Sequence, residues 1–348
     1  MDVKTVFPVD AETLNLIAEL DEFKGAWKAL GSLTPDRLTA LRHVATIESI
    51  GSSTRIEGSR LSNEEVGRLL SSVGDQTFNS RDEQEVVGYA AAMDMIFESW
   101  QNIQLTENNI RQLHRELLRH SQKDQWHLGE YKSNANKVVA FDADGNEVGV
   151  VFETASPFET PGRMAELIEW FNTESLPVLH PLIRIGIFVV TFLEIHPFQD
   201  GNGRLSRVLT TLLLLKAGYA YVPFASLESV IERSKDRYYI ALHATQVTIR
   251  TVSPDWQPWL VFFLTALQRQ KTHLQTKIER EKLIASELSA LETAILDHVR
   301  DTGSITTKQA QAITAANRNT VKKALARLAE QRKILLTGKG RGARYILP

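Results

Sequence analysis

One stretch of the chain brings imidazole, carboxylate, guanidinium and glycine residues close enough to act together. It reads His196-Pro197-Phe198-Gln199-Asp200-Gly201-Asn202-Gly203-Arg204-Leu205-Ser206-Arg207. An imidazole such as that of His196 can take a proton near neutral pH. A carboxylate such as Asp200 beside a phosphate suits Mg2+, which commonly takes one or two carboxylates together with phosphate oxygens. Gly201 and Gly203 lack a Cβ, so an oxygen can approach the backbone closely. Arg204 and Arg207 share a face if the segment is helical, and the guanidinium fork matches phosphate geometry. A base, a metal carboxylate, an anion hole and two phosphate clamps are equipment for attack on a nucleotide phosphate.

The flanking residues must position this equipment. Leu182 to Leu193 on one side and Val208 to Leu215 on the other are too apolar for exposed segments, and the spacing predicts two buried helices with a polar turn between them. Pro197 helps to stop the first helix, and Gly201-Asn202-Gly203 opens the second. The first N–H groups of a helix have no intrahelical partner and carry the positive end of its dipole, so the start of the second helix attracts an anion.

The stretch resembles the signature of Fic proteins, His-Pro-Phe-x-Asp-Gly-Asn-Gly-Arg-x-x-Arg, and matches it at every fixed position. The resemblance implies transfer of AMP from ATP to a Ser, Thr or Tyr hydroxyl of a target protein. It implies that His196 is the base, that Asp200 holds Mg2+, and that Gly201, Asn202 and Gly203 line the anion hole. Arg204 and Arg207 would hold the outer phosphates. The whole run to Arg207, Leu205 and Ser206 included, is thereby counted as nucleotide-binding. Phe198 would be buried and anchor the loop.

Upstream, Ala11 to Leu20 is a plausible helix, and the apolar spacing from Asp36 to Ile50 predicts another, ended by Gly51. The polar run Ser52 to Gly58 follows, readable from composition as a helix start or a linker. It also resembles the inhibitory motif of Fic proteins, Ser/Thr-x-x-x-Glu-Gly/Asn, here Ser53, Glu57 and Gly58. The implied device is electrostatic. Glu57 would pair with Arg207, keep it from the γ-phosphate and repel a triphosphate. Misalignment of the α-phosphate alone would cost a large rate factor.

Asn63 to Val73 and Ser80 to Ser99 read as helices, and Thr106 caps one that turns Ile110, Leu113, His114, Leu117 and Leu118 to a single face. His114 and His120 lack partners at metal spacing and read as packing or surface residues. Val138 to Phe141 and Val148 to Phe152 are β-like, with a turn at Asp142 to Asn146. The resemblance makes this hairpin a flap that aligns a target segment by adding it as a strand. A helix from Pro161 to Phe171 and another opened by Pro181 precede the signature. A helix from Ser234 to Thr248 follows it. Its Tyr238 and Tyr239 resemble the residues that stack on adenine, with Gln246 a weaker candidate for a polar contact.

Composition adds bounds. The chain has 348 residues, so two or three domains are expected. There is no cysteine, which excludes disulfides and thiolate metal sites and fits a reducing compartment. No basic segment followed by a long apolar run opens the sequence, and the apolar run before His196 is broken by Arg184, so a cytoplasmic protein with no membrane contact is expected. The formal net charge is −2, but Thr302 to Pro348 holds ten Lys or Arg and one acidic residue, a balance of +9, leaving −11 for the other 301 residues. That asymmetry suggests a nucleic-acid-binding tail domain. Leu288 to Val299, Thr306 to Ala312 and Asn317 to Gln331 are helical in pattern. Ile334 to Leu336 and Tyr345 to Leu347 look like strands around a basic turn. The order resembles a winged helix-turn-helix with Asn317 to Gln331 as recognition helix.

The predicted fold class is mainly α: a Fic-type helical core with a β-hairpin flap, plus a C-terminal winged helix domain. The expected divisions are residues 1–104, helical with the inhibitory motif at 53–58; 105–266, the catalytic core with the flap at about 129–152; 267–286, an exposed connecting helix; and 287–348, the winged helix. The function implied is a protein adenylyltransferase with ATP as co-substrate and Mg2+ as cofactor, autoinhibited by Glu57. It would work on a target protein docked on the flap, with possible DNA binding through residues 287–348. The family resemblance adds self-association, as a homodimer. The alternative within the enzyme class is AMP removal, with Glu57 orienting water. The alternative outside it is a DNA-binding transcription regulator whose core only senses nucleotide.

Overall fold

The computed structural model describes residues 10–29, 35–72, 78, 80–141, 147–173, 179–286, 289–338 and 343–348. The chain divides into two compact units, Met1–Leu274 and Gln275–Pro348. Both are mainly helical, as predicted.

The first unit holds α1 (Ala11–Ala29), α2 (Pro35–Ile56), α3 (Asn63–Ser71), α4 (Arg81–Ser99) and α5 (Glu107–Leu118). An antiparallel hairpin, β1 (Lys137–Phe141) and β2 (Glu147–Glu153), comes next. Then follow α6 (Thr160–Asn172), α7 (Pro181–Ile195), α8 (Asn202–Lys216), α9 (Leu227–Arg233), α10 (Lys235–Gln246) and the start of α11 (Gln257–Ser286). The helix starts are written in local chemistry. Ser62 with Glu65, and Ser80 with Glu83, form reciprocal capping boxes on α3 and α4, and the Thr106 hydroxyl accepts from Asn109 on α5.

The core is built around α7, which packs against α6, α8 and α10. From Leu182 to Ile195 every residue but Arg184 is buried. Such a helix is apolar on all sides because it has neighbours on all sides. α11 lies close to it: the Trp259 indole N–H donates to Gly186 O at 2.7 Å, and a Cβ at Gly186 would stand only 2.8 Å from Leu260 Cδ2. Among the described residues no helix is long and apolar enough to cross a membrane.

Three expectations need correction. Gly51 does not end its helix, because α2 continues to Ile56. A glycine inside a helix costs about 1 kcal/mol relative to alanine. Here a Cβ would lie 2.7 Å from both Arg55 Nη1 and Asn63 Oδ1 and would displace those side-chain ends. The segment Ser52 to Ile56 is therefore the last turn of α2, and Gly58, at φ +106°, turns the chain away. Secondly, residues 267–286 are not a separate exposed helix. They continue α11, and Gln270, Lys271 and Leu274 are buried, with the Gln270 amide donating to Ala225 O at 2.6 Å. Thirdly, α9 was not anticipated, although Ser226 caps it and Leu227, Val230 and Ile231 are buried at helical spacing.

The second unit contains α12 (Ala290–Thr302), α13 (Thr307–Thr314), α14 (Arg318–Glu330) and an antiparallel pair, β3 (Leu335–Thr337) and β4 (Arg344–Ile346). Its core joins Ile295, Leu296 and Val299 of α12, Ala310 of α13, Val321, Leu325 and Leu328 of α14, and Ile305 and Ile334. The hairpin turn at 142–146 and most of the basic turn, 339–342, lie outside the described residues.

Candidate active site

The loop between α7 and α8 is closed by its own side chains. Asn202 is buried, with Oδ1 accepting from Phe198 N at 2.9 Å and Nδ2 donating to Phe198 O at 2.8 Å. Phe198 is fully buried and stacks on the His114 ring at 3.9 Å between centroids. The Tyr131 segment pairs with the loop as an isolated antiparallel bridge, and Lys132 N donates to Pro197 O at 2.8 Å. Gly201 takes φ +81° at the start of α8, a left-handed position suited to glycine.

His114 was read as a packing residue, and it packs, but it also holds the loop. Its Nδ1 accepts from Gly129 N at 2.9 Å, which puts the ring proton on Nε2, and Nε2 then donates to Asp200 O at 3.0 Å. Burial pushes its pKa down to about 4, so the ring stays neutral.

His196 ends α7 at φ 52°, a left-handed conformation that is uncommon for a residue with a Cβ. Its Nδ1 lies 3.3 Å from Leu193 O. A carbonyl can only accept, so Nδ1 carries the proton and Nε2 of the neutral ring is free to take one. Burial pushes this imidazole down to about 4, against the hydrogen bond to Leu193 O, which raises it.

His196, Asp200, Gly201, Asn202 and Gly203 line one cavity with Leu193 and Gln199, closed from α10 by Tyr238, Tyr239 and Leu242 and from α2 by Glu57. The cavity volume is about 140 Å³. Burial pushes the Tyr238 hydroxyl up to about 12, so it stays protonated at neutral pH.

Glu57 reaches the loop from the end of α2. Its Oε1 accepts from Arg207 Nη2 at 2.7 Å. The same oxygen would lie 2.2 Å from a Cβ built on Gly203, so the carboxylate rests directly on the first turn of α8. Ser53 completes the seat: its Oγ accepts from Arg207 Nε at 2.8 Å and its backbone O from Nη2 at 3.0 Å. Burial raises the pKa of Glu57, but the Arg207 charge and hydrogen bond outweigh it and the net shift is downward. Arg207 moves the opposite way: burial lowers it, Glu57 raises it, and the net shift is upward.

Other expected nucleotide residues stand apart from the cavity. Arg204 is buried behind Asp200, with Nη2 3.2 Å from Asp200 Oδ1 and Nη1 3.4 Å from Glu85 Oε2. Leu205 is in the core, and the Ser206 hydroxyl donates to Gly203 O at 2.7 Å. Gln246 is buried two turns beyond Tyr239 and does not line the cavity. Gly58 takes φ +106° in the turn after α2 and does not line the cavity.

Asp200 fits a metal role. Burial raises its pKa, but the Arg204 charge, the Gly201 N–H and the Arg81 charge bring it below the usual carboxylate range, so it is ionised. Among the described residues no cluster of three His, Cys, Asp or Glu could hold a metal ion. A cation at Asp200 would therefore share its coordination with the phosphates of a bound nucleotide.

Residues 104–214 match the family model described as Fic/DOC. The protein adenylyltransferase Fic of Drosophila virilis is 29% identical over 229 residues, covering 64% of this chain and 42% of that protein. Its counterpart from Drosophila erecta is 30% identical over 201 residues, covering 56% of this chain and 36% of that protein. This chain thus spans about four tenths of the length of these curated relatives. Among solved structures, a Fic family protein from Desulfovibrio desulfuricans superposes with a TM-score of 0.63 and 25% identity, covering 98% of this chain and 97% of that one. A Fic-domain-containing signaling protein from Bacteroides thetaiotaomicron superposes with a TM-score of 0.59 and 27% identity, covering 76% of this chain and 96% of that one.

The His196 pKa is lowered to about 4, so the ring is neutral above that pH and is protonated only as pH falls through it. If this ring takes a proton in catalysis, the pH profile of kcat/KM of a Glu57→Gly variant should show no loss from it between pH 7 and 5. Removing Glu57 takes away a charge that raises His196, which by itself moves the limb lower. A limb centred near the ordinary histidine value would contradict this state of the ring.

Proposed function

We propose that this chain is a protein adenylyltransferase held at low activity by Glu57. The observation that carries the reading is the Glu57 carboxylate seated on Gly203 and paired with Arg207. It occupies the anion-binding start of α8, beside a neutral, half-buried histidine. The cavity volume of about 140 Å³ also supports it. Small-molecule sites are commonly about 300–1,000 Å³, so the cavity is too small for a nucleotide while Glu57 is in place.

In the reaction, a target hydroxyl oxygen attacks the α-phosphorus of ATP. The bond to the bridging oxygen breaks, pyrophosphate leaves, and the hydroxyl proton passes to His196 Nε2. The amides of Asn202 and Gly203 face the growing charge, and that of Gly201 joins them once it is released from Asp200 Oδ1, to which it donates at 2.5 Å. Arg207, once released from Glu57, holds the outer phosphate. Tyr238 and Tyr239 wall the cavity on the side where the base would lie. Asp200 would hold Mg2+, which when bound offsets phosphate charge. The two-stranded hairpin leaves edges that suit addition of an extended target segment. ATP labelled on the α-phosphate and, separately, on the γ-phosphate tests the reading. Label from α alone supports AMP transfer, label from γ would mean phosphoryl transfer, and release of AMP from a labelled target would mean the reverse reaction.

A second activity is favoured by the C-terminal unit. On α14, Arg318, Lys322 and Lys323 are exposed while Val321, Ala324, Leu325 and Leu328 are buried. We infer a winged helix that presents this basic face to DNA, with phosphate contacts supplying the affinity. Full-length protein should be retained on duplex DNA with a steep salt dependence that a Lys322→Ala/Lys323→Ala variant flattens. Equal retention by both forms would remove this reading.

A further inference from the structure

Glu57 does not hold itself in place. It lies one residue beyond α2, and the last turn of that helix is tied down by side chains of α9 and α10. Arg55 forms a two-point pair with Glu232 of α9, Nε to Oε1 at 2.6 Å and Nη2 to Oε2 at 3.0 Å. The remaining Arg55 donors are also used, Nη1 on Leu61 O at 2.9 Å and Nη2 on Ser52 Oγ at 3.1 Å. Arg55 thus joins three things: the turn before Glu57, the strand of chain after it, and α9. The absent side chain at Gly51 leaves room for this guanidinium, since a Cβ there would lie 2.7 Å from Nη1. From α10, Lys235 Nζ donates to Ile56 O at 2.8 Å, the carbonyl immediately before Glu57. A cation on the last carbonyls of a helix is favoured by the helix dipole as well as by the hydrogen bond.

We propose that Arg55, through its pair with Glu232 and with Lys235 on the Ile56 carbonyl, is the positioning residue that keeps Glu57 seated on the start of α8. This rests on the reading of Glu57 as the inhibitory residue. Arg55 does not line the nucleotide cavity and takes no part in the chemistry. Its effect passes through Glu57 alone. The latch is also linked to the cavity wall, because Lys235 shares α10 with Tyr238 and Tyr239. The Arg55 and Glu232 side chains are 22% and 29% exposed, so the pair can open without unfolding the core.

The test is a cycle in full-length protein, read as incorporation of α-labelled AMP. Arg55→Ala and Glu232→Ala should each raise labelling by about 10-fold over wild type, short of Glu57→Gly. Each should add nothing to Glu57→Gly in the double variant. Equal labelling by Glu57→Gly and by Glu57→Gly/Arg55→Ala also shows that the Arg55 change leaves the fold and the site intact. The exchanged pair Arg55→Glu/Glu232→Arg should return labelling toward wild type. A gain from Glu57→Gly with none from Arg55→Ala or Glu232→Ala would overturn the latch. So would a change by Arg55→Ala of equal size in the Glu57→Gly background, since its effect would then bypass Glu57. No gain from Glu57→Gly itself would overturn the inhibitory reading, and the latch with it.

Discussion

Glu57→Gly is expected to raise AMP transfer by about 100-fold, because one substitution clears two groups that the reaction needs. The Glu57 carboxylate is bonded to Arg207 at 2.7 Å and covers Gly203, where a Cβ would meet it at 2.2 Å. Its removal frees a guanidinium for the outer phosphate and opens the start of α8 to a phosphate oxygen. It also removes a negative charge from a place that a triphosphate must enter. The same variant should melt at a lower temperature than wild type. Arg207 is 4% exposed and would keep Ser53 and the Tyr238 hydroxyl as neutral partners, a buried charge without its counter-charge. ATP with Mg2+ should then restore melting temperature more in the variant than in wild type, since a ligand that binds only the native state stabilises it. Measured together, labelling and melting separate release of inhibition from a general loosening. Higher labelling with unchanged ATP-dependent stabilisation would mean that Glu57 acts on alignment and not on nucleotide entry. Unchanged labelling would end the autoinhibition reading.

His196→Ala in the Glu57→Gly background should lower labelling by about 10²–10⁴-fold, the usual contribution of a positioned general base. The neutral ring, the Nδ1 contact to Leu193 O at 3.3 Å and the place on the cavity wall leave Nε2 as the proton acceptor. ATP-dependent stabilisation should persist, because the anion-binding amides and Arg207 are untouched. His196 holds φ 52°, so alanine brings some backbone strain of its own, and His196→Asn is the control that tolerates this conformation. Both variants should lose labelling alike. If His196→Asn labelled as fast as its parent, the base would lie elsewhere.

Much of the site was legible in the sequence because its parts are local. The signature stretch supplies the imidazole, the carboxylate and the glycine turn within twelve residues, and apolar runs on each side predict the two buried helices that hold them. Capping patterns such as Ser80 with Glu83 place helix starts without any tertiary knowledge. The interior of α2 was misread because Gly51 is a helix breaker by propensity and a spacer by packing. Only the positions of Arg55 and Asn63 show which property prevails.

Arg204 and Arg207 make the division plain. Their types and spacing were fixed by sequence, and both were expected on phosphates. The fold sends Arg204 behind the loop to Asp200 and Glu85 and leaves Arg207 under Glu57. His114 was seen as a packing residue, and its second role needed the Gly129 N–H on one ring nitrogen and the Asp200 carbonyl on the other. The sequence by itself determined the chemistry available: which groups exist and which helix start presents bare amides. The tertiary structure decided which of those groups face the cavity, which state each holds, and that Glu57, one residue past α2 and 150 positions from Arg207, lies over the start of α8. Side-chain charge and local propensity act over a few residues. Burial, and the contacts that set pKa and access, depend on neighbours that only folding brings together.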